Sequence, residues 1–301
     1  MAWRGLHISR PARLRIDRGS LEICFRDDEE PSSFRTPLED LAWLVLDSPE
    51  ITLSTSFLSR CSETEVLILG VNEKHLPAWA SLPWTRFHRQ GEVLALQLKC
   101  SMPLKKRLWQ HIIQLKISGQ AACLKLFKAP RHEILAGFAA AVRSGDPDNL
   151  EARAAAMYWR FLFPNRNFIR HDDCLPNAML DYGYSIIRSA LARHLCAVGF
   201  MPQIGLHHAS LTNAYNLADD LIEPYRPFVD AAVVCQLNDR QSTDPFSKED
   251  RRAMVRLLEK PISMNGVTIT LFAAIGLTVA SLKIALGTKD PKKLVYPDGI
   301  A

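Results

Sequence analysis

Acidic residues are missing between Val93 and His132, a forty-residue stretch that carries Lys99, Lys105, Lys106, Arg107, Lys116, Lys125, Lys128 and Arg131. With no acid among them, these cations make either a solvated helix face or a surface for a polyanion. Cysteine is scarce and unpatterned: seven residues, an odd number, the nearest pair more than twenty positions apart. That excludes a disulfide framework and a C-x-x-C metal site, and fits a reducing cytosol. The opening MAWRGLHISR lacks the basic-then-apolar order of a signal peptide, so export is not expected. Long apolar runs are lacking too, with one exception. Val267 to Leu286 approaches the length of a membrane span, but its threonines and serine, Gly276 and Lys283 favour a buried core helix.

What is present is enough for two folded domains: 301 residues, 48% of them hydrophobic, with a modest net charge of +5. The first part reads as short strands. Leu21, Ile23 and Phe25 alternate with Glu22 and Cys24, the period of a half-buried strand, and Asp27 to Ser33 reads as a charged turn. Ala42 to Leu46 and Val66 to Val71 are continuous apolar runs suited to strands buried on both faces, with a short helix near Ser56 to Cys61 between them. Arg4, Arg10, Arg13, Arg15 and Arg18 make this part basic, fitting it for support, dimerisation or backbone contact. From Pro103 the period turns helical for nearly all the rest. The expected fold is α+β: a β-rich domain over residues 1–84, a connector over 85–101 and a larger all-α domain over 102–301.

The helical part holds the chemistry. Leu104, Leu108, Ile112 and Leu115 form an apolar stripe, flanked by Lys105, Trp109 and Lys116. Cations interleaved with an aromatic suit a phosphate backbone and a stacked base, unless the tryptophan packs beneath the lysine stems. Asp146 or Asp148 caps the next helix; if Asp148 does, Glu151 is its capping-box partner. Against that, Ala152, Ala154, Ala155 and Ala156 leave room for a substrate to approach the Glu151 carboxylate. Asn165 to Asp173 reads as a polar loop with Arg166, Arg170 and His171, and Leu175 to Val198 as the central core helix. Gly199, Pro202 and Gly205 then place His207 and His208 in a loop, with Asn213 or Asn216 as the next cap. Asp220 and Glu223 share one helix edge. If that helix runs through Pro224 and Pro227, it frees the carbonyls of Asp220 and Glu223, an oxygen-rich corner for a hard divalent cation or for water.

Three segments, NLEARAAAMYW around Glu151, LPNAMLDYGYSII from Leu175 and QIGLHHASLTNAYNLADDLIEPYRPFVD from Gln203, resemble the CRISPR-associated integrase that inserts new spacers, CRISPR-associated protein one, in its type II form. TPLEDLAWLVLDSPEITLSTSFLSRC resembles that family's β-domain core, so the likeness spans nearly the whole chain. It implies a metal-dependent DNA endonuclease and integrase joining the 3′-hydroxyl of a captured DNA end to the CRISPR repeat. The implied catalytic and metal-binding residues are Glu151, His208 and Glu223, with Asp220 an accessory acid and His207 the alternative to His208. Mg2+ or Mn2+ is the implied cofactor. The implied partners are double-stranded DNA, a second copy bound through the β domain, and CRISPR-associated protein two; no membrane is expected. Lys105, Lys106, Arg107, Lys116, Arg166, Arg170 and Arg226 are the candidate DNA contacts. The rival expectation is a non-catalytic DNA-end scaffold of the same adaptation complex.

Overall fold

In a computed structural model of the chain, the structure describes residues 4–26, 32–64, 66–73, 75, 77–81, 89–163, 168–237, 240–241 and 243–300. Two compact units divide the chain, Met1–His88 and Arg89–Ala301. The expected boundary at residue 84 and most of the turn at Asp27 to Ser33 lie outside the described residues.

Two four-stranded sheets build the first unit. One sets β1 (Arg4–Ile8), β5 (Leu41–Leu46) and β7 (Leu67–Val71) in parallel, with β8 (Pro77–Ala80) antiparallel at the edge. In the other, β4 (Ser33–Pro37), β3 (Ser20–Phe25) and β2 (Ala12–Asp17) run antiparallel and β6 (Ile51–Leu53) joins β2 in parallel. The apolar run Leu41–Leu46 is buried along its whole length because it is an inner strand, covered on both faces. Helix α1 (Thr55–Thr64) lies between β6 and β7 in the chain and gives Phe57 and Cys61 to the core. Strand β3 departs from simple alternation: Glu22 is buried beside Leu21 and Ile23, and can be so because Arg15 (2.5 Å) and Arg35 (2.7 Å) grip its carboxylate. Arg15 is therefore occupied within the sheet.

The second unit is mostly helical. Residues 89–101, expected as connector, supply α2 (Gln90–Leu98), whose Val93 and Gln97 are buried. There follow α3 (Met102–Leu126), α4 (His132–Ala141), α5 (Leu150–Leu162), α6 (Leu175–Val198), α7 (Asn216–Ile222), a 3-10 turn (Glu223–Tyr225), α8 (Arg226–Leu237) and α9 (Lys248–Arg256). The unit is not all-α. A hairpin of β9 (Pro261–Met264) and β10 (Val267–Thr270) precedes α10 (Leu271–Thr288), its turn made by Asn265 and Gly266, both at positive φ. The apolar stretch from Val267 is thus a strand first and a helix only from Leu271, where the Thr270 hydroxyl accepts the Ala273 N–H. By length and composition α10 is apolar enough to cross a membrane. Its Ala274, Ile275, Val279 and Leu282 are buried, and it packs on α6. Helix α6 is the centre of the unit: Met179, Tyr182, Ile186 and Ala190, one stripe at helical spacing, are all fully buried. It ends at Gly199, whose φ of +97° is a left-handed cap that a glycine adopts without strain.

Candidate functional site

Glu151 stands in the first turn of α5. The Asp146 carboxylate accepts the N–H groups of Leu150 and Glu151, both at 2.9 Å, while Asp148 is paired with Arg143 at 2.7 Å. Asp146 is therefore the group that satisfies the helix start, and the Glu151 side chain is released from capping. It turns instead to α3, where its Oε1 accepts from Lys116 Nζ at 2.6 Å.

The same ammonium meets Glu223 Oε2 at 2.5 Å, and the other oxygen of Glu223 accepts from Arg226 Nε at 2.8 Å. Burial opposes ionisation of Glu223, but Arg226 and Lys116 outweigh it and hold the carboxyl down at about 2. Pro224 acts here as a breaker, whereas Pro227 stands in the first turn of α8. Helix α7 stops at Ile222, Pro224 sits in the 3-10 turn, and the Glu223 carbonyl accepts the Arg226 N–H. The open carbonyl expected at Glu223 is thus filled by the chain itself. Behind Arg226 lie the Tyr184 ring, 4.6 Å from its guanidinium, and a fully buried Asp230 that accepts from the hydroxyls of Tyr158 (2.8 Å) and Tyr184. Burial drives the Asp230 carboxyl up to about 7 against the pull of those two donors.

His208 is placed by a different device. The loop after α6 is pinned by Gln97, which donates to the carbonyls of Met201 (2.8 Å) and Ile204 (2.6 Å) and accepts the Met201 N–H (3.0 Å). Asp220, fully buried on α7, then gathers the loop. Its carboxylate accepts the N–H groups of Leu206 (2.5 Å), His207 (3.1 Å) and His208 (3.0 Å), and lies 2.7 Å from His208 Nδ1. Nδ1 is thereby assigned as the protonated nitrogen, leaving Nε2 as the free acceptor. The hydrogen bond to Asp220 raises the His208 pKa, burial works against it, and the charges of Asp220 and Glu223 add to the rise. His207 lies flat on Trp109, ring centroids 4.1 Å apart. Asn213 and Asn216, expected as caps, brace the loop instead: Asn213 accepts the Tyr215 N–H, and Asn216 donates to the carbonyls of Gln203 and Ser210.

Glu151 and Glu223 therefore converge on one cation, with His208 held on the neighbouring loop. Among the described residues, no group of three or more histidine, cysteine, aspartate and glutamate side chains is arranged to hold a metal ion. The acid pair nonetheless fits a cation, because an ammonium already stands between its oxygens, and Glu223 Oε2 is buried with no hydrogen bond of good geometry. Asp220 is engaged with the loop rather than with Glu151 or Glu223.

Several expected DNA contacts point elsewhere. Lys116, only 8% exposed, faces the acids, and Trp109 is buried beside it, so this flank of α3 faces inward. Arg170 is taken up by Asn177 and Asp181 and lies over Tyr184. Arg226 holds Glu223, Lys105 donates to the Gly205 carbonyl at 3.1 Å, and Arg166 lies outside the described residues. Lys106, Arg107, Lys125, Lys128 and Arg131 are exposed. The inward role of Lys116 escapes sequence reasoning because the apolar stripe it predicts is too narrow. The buried face of α3 runs through Trp109, Ile112, Ile113, Lys116, Ile117 and Gln120, and a lysine on such a face needs a buried acid.

Comparison with known proteins agrees with this architecture. Residues 6–263 match the family model described as CRISPR associated protein Cas1. The chain is 36% identical over 299 residues to the CRISPR-associated endonuclease Cas1 of Neisseria meningitidis serogroup C (strain 8013), covering 99% of this chain and 97% of that one. Among solved structures it is similar to a casposase bound to integration product, with TM-score 0.76, 19% identity, and 100% and 96% of the two chains covered. It is also similar to a Cas6-RT-Cas1–Cas2 complex, with TM-score 0.73, 18% identity, and 99% and 36% covered.

Proposed function

This chain belongs to the Cas1 family and is a DNA endonuclease/integrase of CRISPR spacer integration; we propose that Glu151, His208 and Glu223 carry its chemistry, joining the 3′-hydroxyl ends of spacer DNA to the CRISPR repeat by transesterification. The supporting observation is the meeting of Glu151, from α5, and Glu223, from the turn after α7, on a single cationic group. Members of the family are generally metal-dependent. Glu151, Glu223 and His208 Nε2, hard oxygens with one imidazole, are the groups that would hold Mg2+ or Mn2+. Such an ion supplies Lewis acidity that stabilises charge on the scissile phosphate and acidifies the attacking hydroxyl.

The remaining residues position these groups. Asp220 fixes the ring of His208, and Arg226 fixes Glu223. A groove of about 470 Å³ beside His208, lined by Lys105, Ser210, Thr212 and Asn213, receives the DNA end. Exposed Lys106, Arg107, Lys125, Lys128 and Arg131 take the phosphate backbone of double-stranded DNA without reading its sequence. The working assembly is a homodimer joined through the first unit and combined with Cas2, in keeping with the Cas1–Cas2 complex among the similar structures. Seven free thiols support a cytosolic setting.

The test is strand transfer of a fluorescent duplex with free 3′-hydroxyl ends into a supercoiled plasmid bearing the cognate repeat, with Cas2 present, in Mn2+, Mg2+ or EDTA. Glu151→Ala and His208→Ala are expected to abolish joining and retain DNA binding; joining retained in both overturns the assignment.

A further inference from the structure

Lys116 is a buried cation in the site that the chemistry above does not use. Its ammonium, at the end of a side chain that is otherwise covered, lies 2.6 Å from Glu151 Oε1 and 2.5 Å from Glu223 Oε2. These oxygens belong to elements remote in the chain, and the lysine is the bond between them. Both oxygens of Glu223 face cations, Oε2 this lysine and Oε1 Arg226. Glu151 is the more open partner, beside exposed Ala152 and Ala156. A divalent ion bound through the same pair would therefore have to displace the ammonium, for two cations so close around one carboxylate oxygen repel strongly in a partly buried site. Arg226 needs no such displacement, because it holds the opposite oxygen.

We propose that Lys116 is a built-in competitor and placeholder for the metal: its ammonium keeps Glu151 and Glu223 in register, and a divalent cation binds by expelling it from between them. The proposal rests on the assignment of Glu151, His208 and Glu223 as the metal-binding residues. Lys116 is then a positioning residue whose substitution has opposite effects on the two states. Without metal, its removal leaves two acids sharing fewer cations and loosens the join between α5 and the turn after α7. With metal, its removal takes away a competitor.

The experiment measures Mn2+ binding by calorimetry and by loss of the free-ion EPR signal, and thermal unfolding in EDTA and in Mn2+, on the full chain. Lys116→Met keeps the stem and removes the charge. It is expected to melt below wild type in EDTA, to show a larger rise in Tm on adding Mn2+, and to bind Mn2+ about 10-fold more tightly. Lys116→Arg, which offers both acids a flat fork of donors, is expected to keep its stability in EDTA and bind Mn2+ more weakly than wild type. Lys125→Met, an exposed cation of the same helix, controls for long-range charge and is expected to change the affinity by less than about twofold. Unchanged or weaker binding in Lys116→Met overturns the proposal. Should that variant not fold, wild-type affinity in Lys116→Arg does so. Glu151→Ala and His208→Ala separate the two levels of failure. Loss of Mn2+ binding in both, with no gain in Lys116→Met, overturns the competitor alone; retained binding in both overturns the metal site and the competitor together.

Discussion

At the scale of single residues, the site depends on charges buried in pairs. Asp220 is bonded to the loop rather than to the acid pair, yet it determines where His208 points, since one carboxylate gathers three backbone N–H groups and Nδ1. Asp220→Asn puts an NH2 group against those donors. Strand transfer is expected to fall about 10- to 100-fold, as for other groups that orient a ligating histidine, and titration of His208 followed by NMR should show its pKa lowered. Asp230 makes a pH prediction. Its carboxyl lies at about 7 in the folded chain against an ordinary 3.8, so the folded state binds the extra proton and its stability falls as pH rises from about 4 to about 7. The loss is on the order of 4 kcal/mol at most. Asp230→Asn, which still accepts from a tyrosine, is expected to flatten that fall, measured as the urea midpoint between pH 4.5 and 7.5.

At the scale of elements, one loop and one helix set the geometry. The loop after α6 turns so tightly at Gly205 that an added Cβ would lie 2.3 Å from the His208 carbonyl oxygen and 2.7 Å from Asp220 Oδ2. Gly205→Ala is expected to cost about 2 kcal/mol or more, read as a lower Tm, and to remove strand transfer while DNA binding persists. Helix α3 has two faces with different duties. Its periodicity made the apolar stripe of Leu104, Leu108 and Ile112 legible, and with it the existence of the helix. The duty of Lys116 was not legible, because the acids that neutralise it come from α5 and from the turn after α7. The same holds for Asp146 and Asp148. Spacing allowed either as the cap of α5; the cap position falls on Asn149, which makes no side-chain cap bond, and Asp146 accepts the first N–H groups from behind it while Asp148 pairs with Arg143.

At the scale of the whole molecule, the net charge of +5 matters less than where the cations end up. Those still exposed on α3 and just after it, Lys106, Arg107, Lys125, Lys128 and Arg131, are the ones expected to meet DNA. Affinity for a duplex should weaken steeply with added salt. Lys125→Ala with Lys128→Ala should reduce the slope of log K against log salt by about one for each phosphate that the protein no longer neutralises. Lys116→Met should leave that slope unchanged, since its charge is already spent on acids. The order of elements, a β-rich part followed by a mostly helical one, was determined by the sequence alone, because strand and helix periods are local properties of the chain. So was the identity of the family, carried by contiguous motifs around Glu151, Leu175 and Gln203. Which charges are free and which are consumed was decided only by tertiary structure. An ion pair such as Lys116 with Glu151 and Glu223, or Arg170 with Asp181, joins residues whose separation along the chain says nothing about their distance in the fold, and burial then sets the strength of the bond.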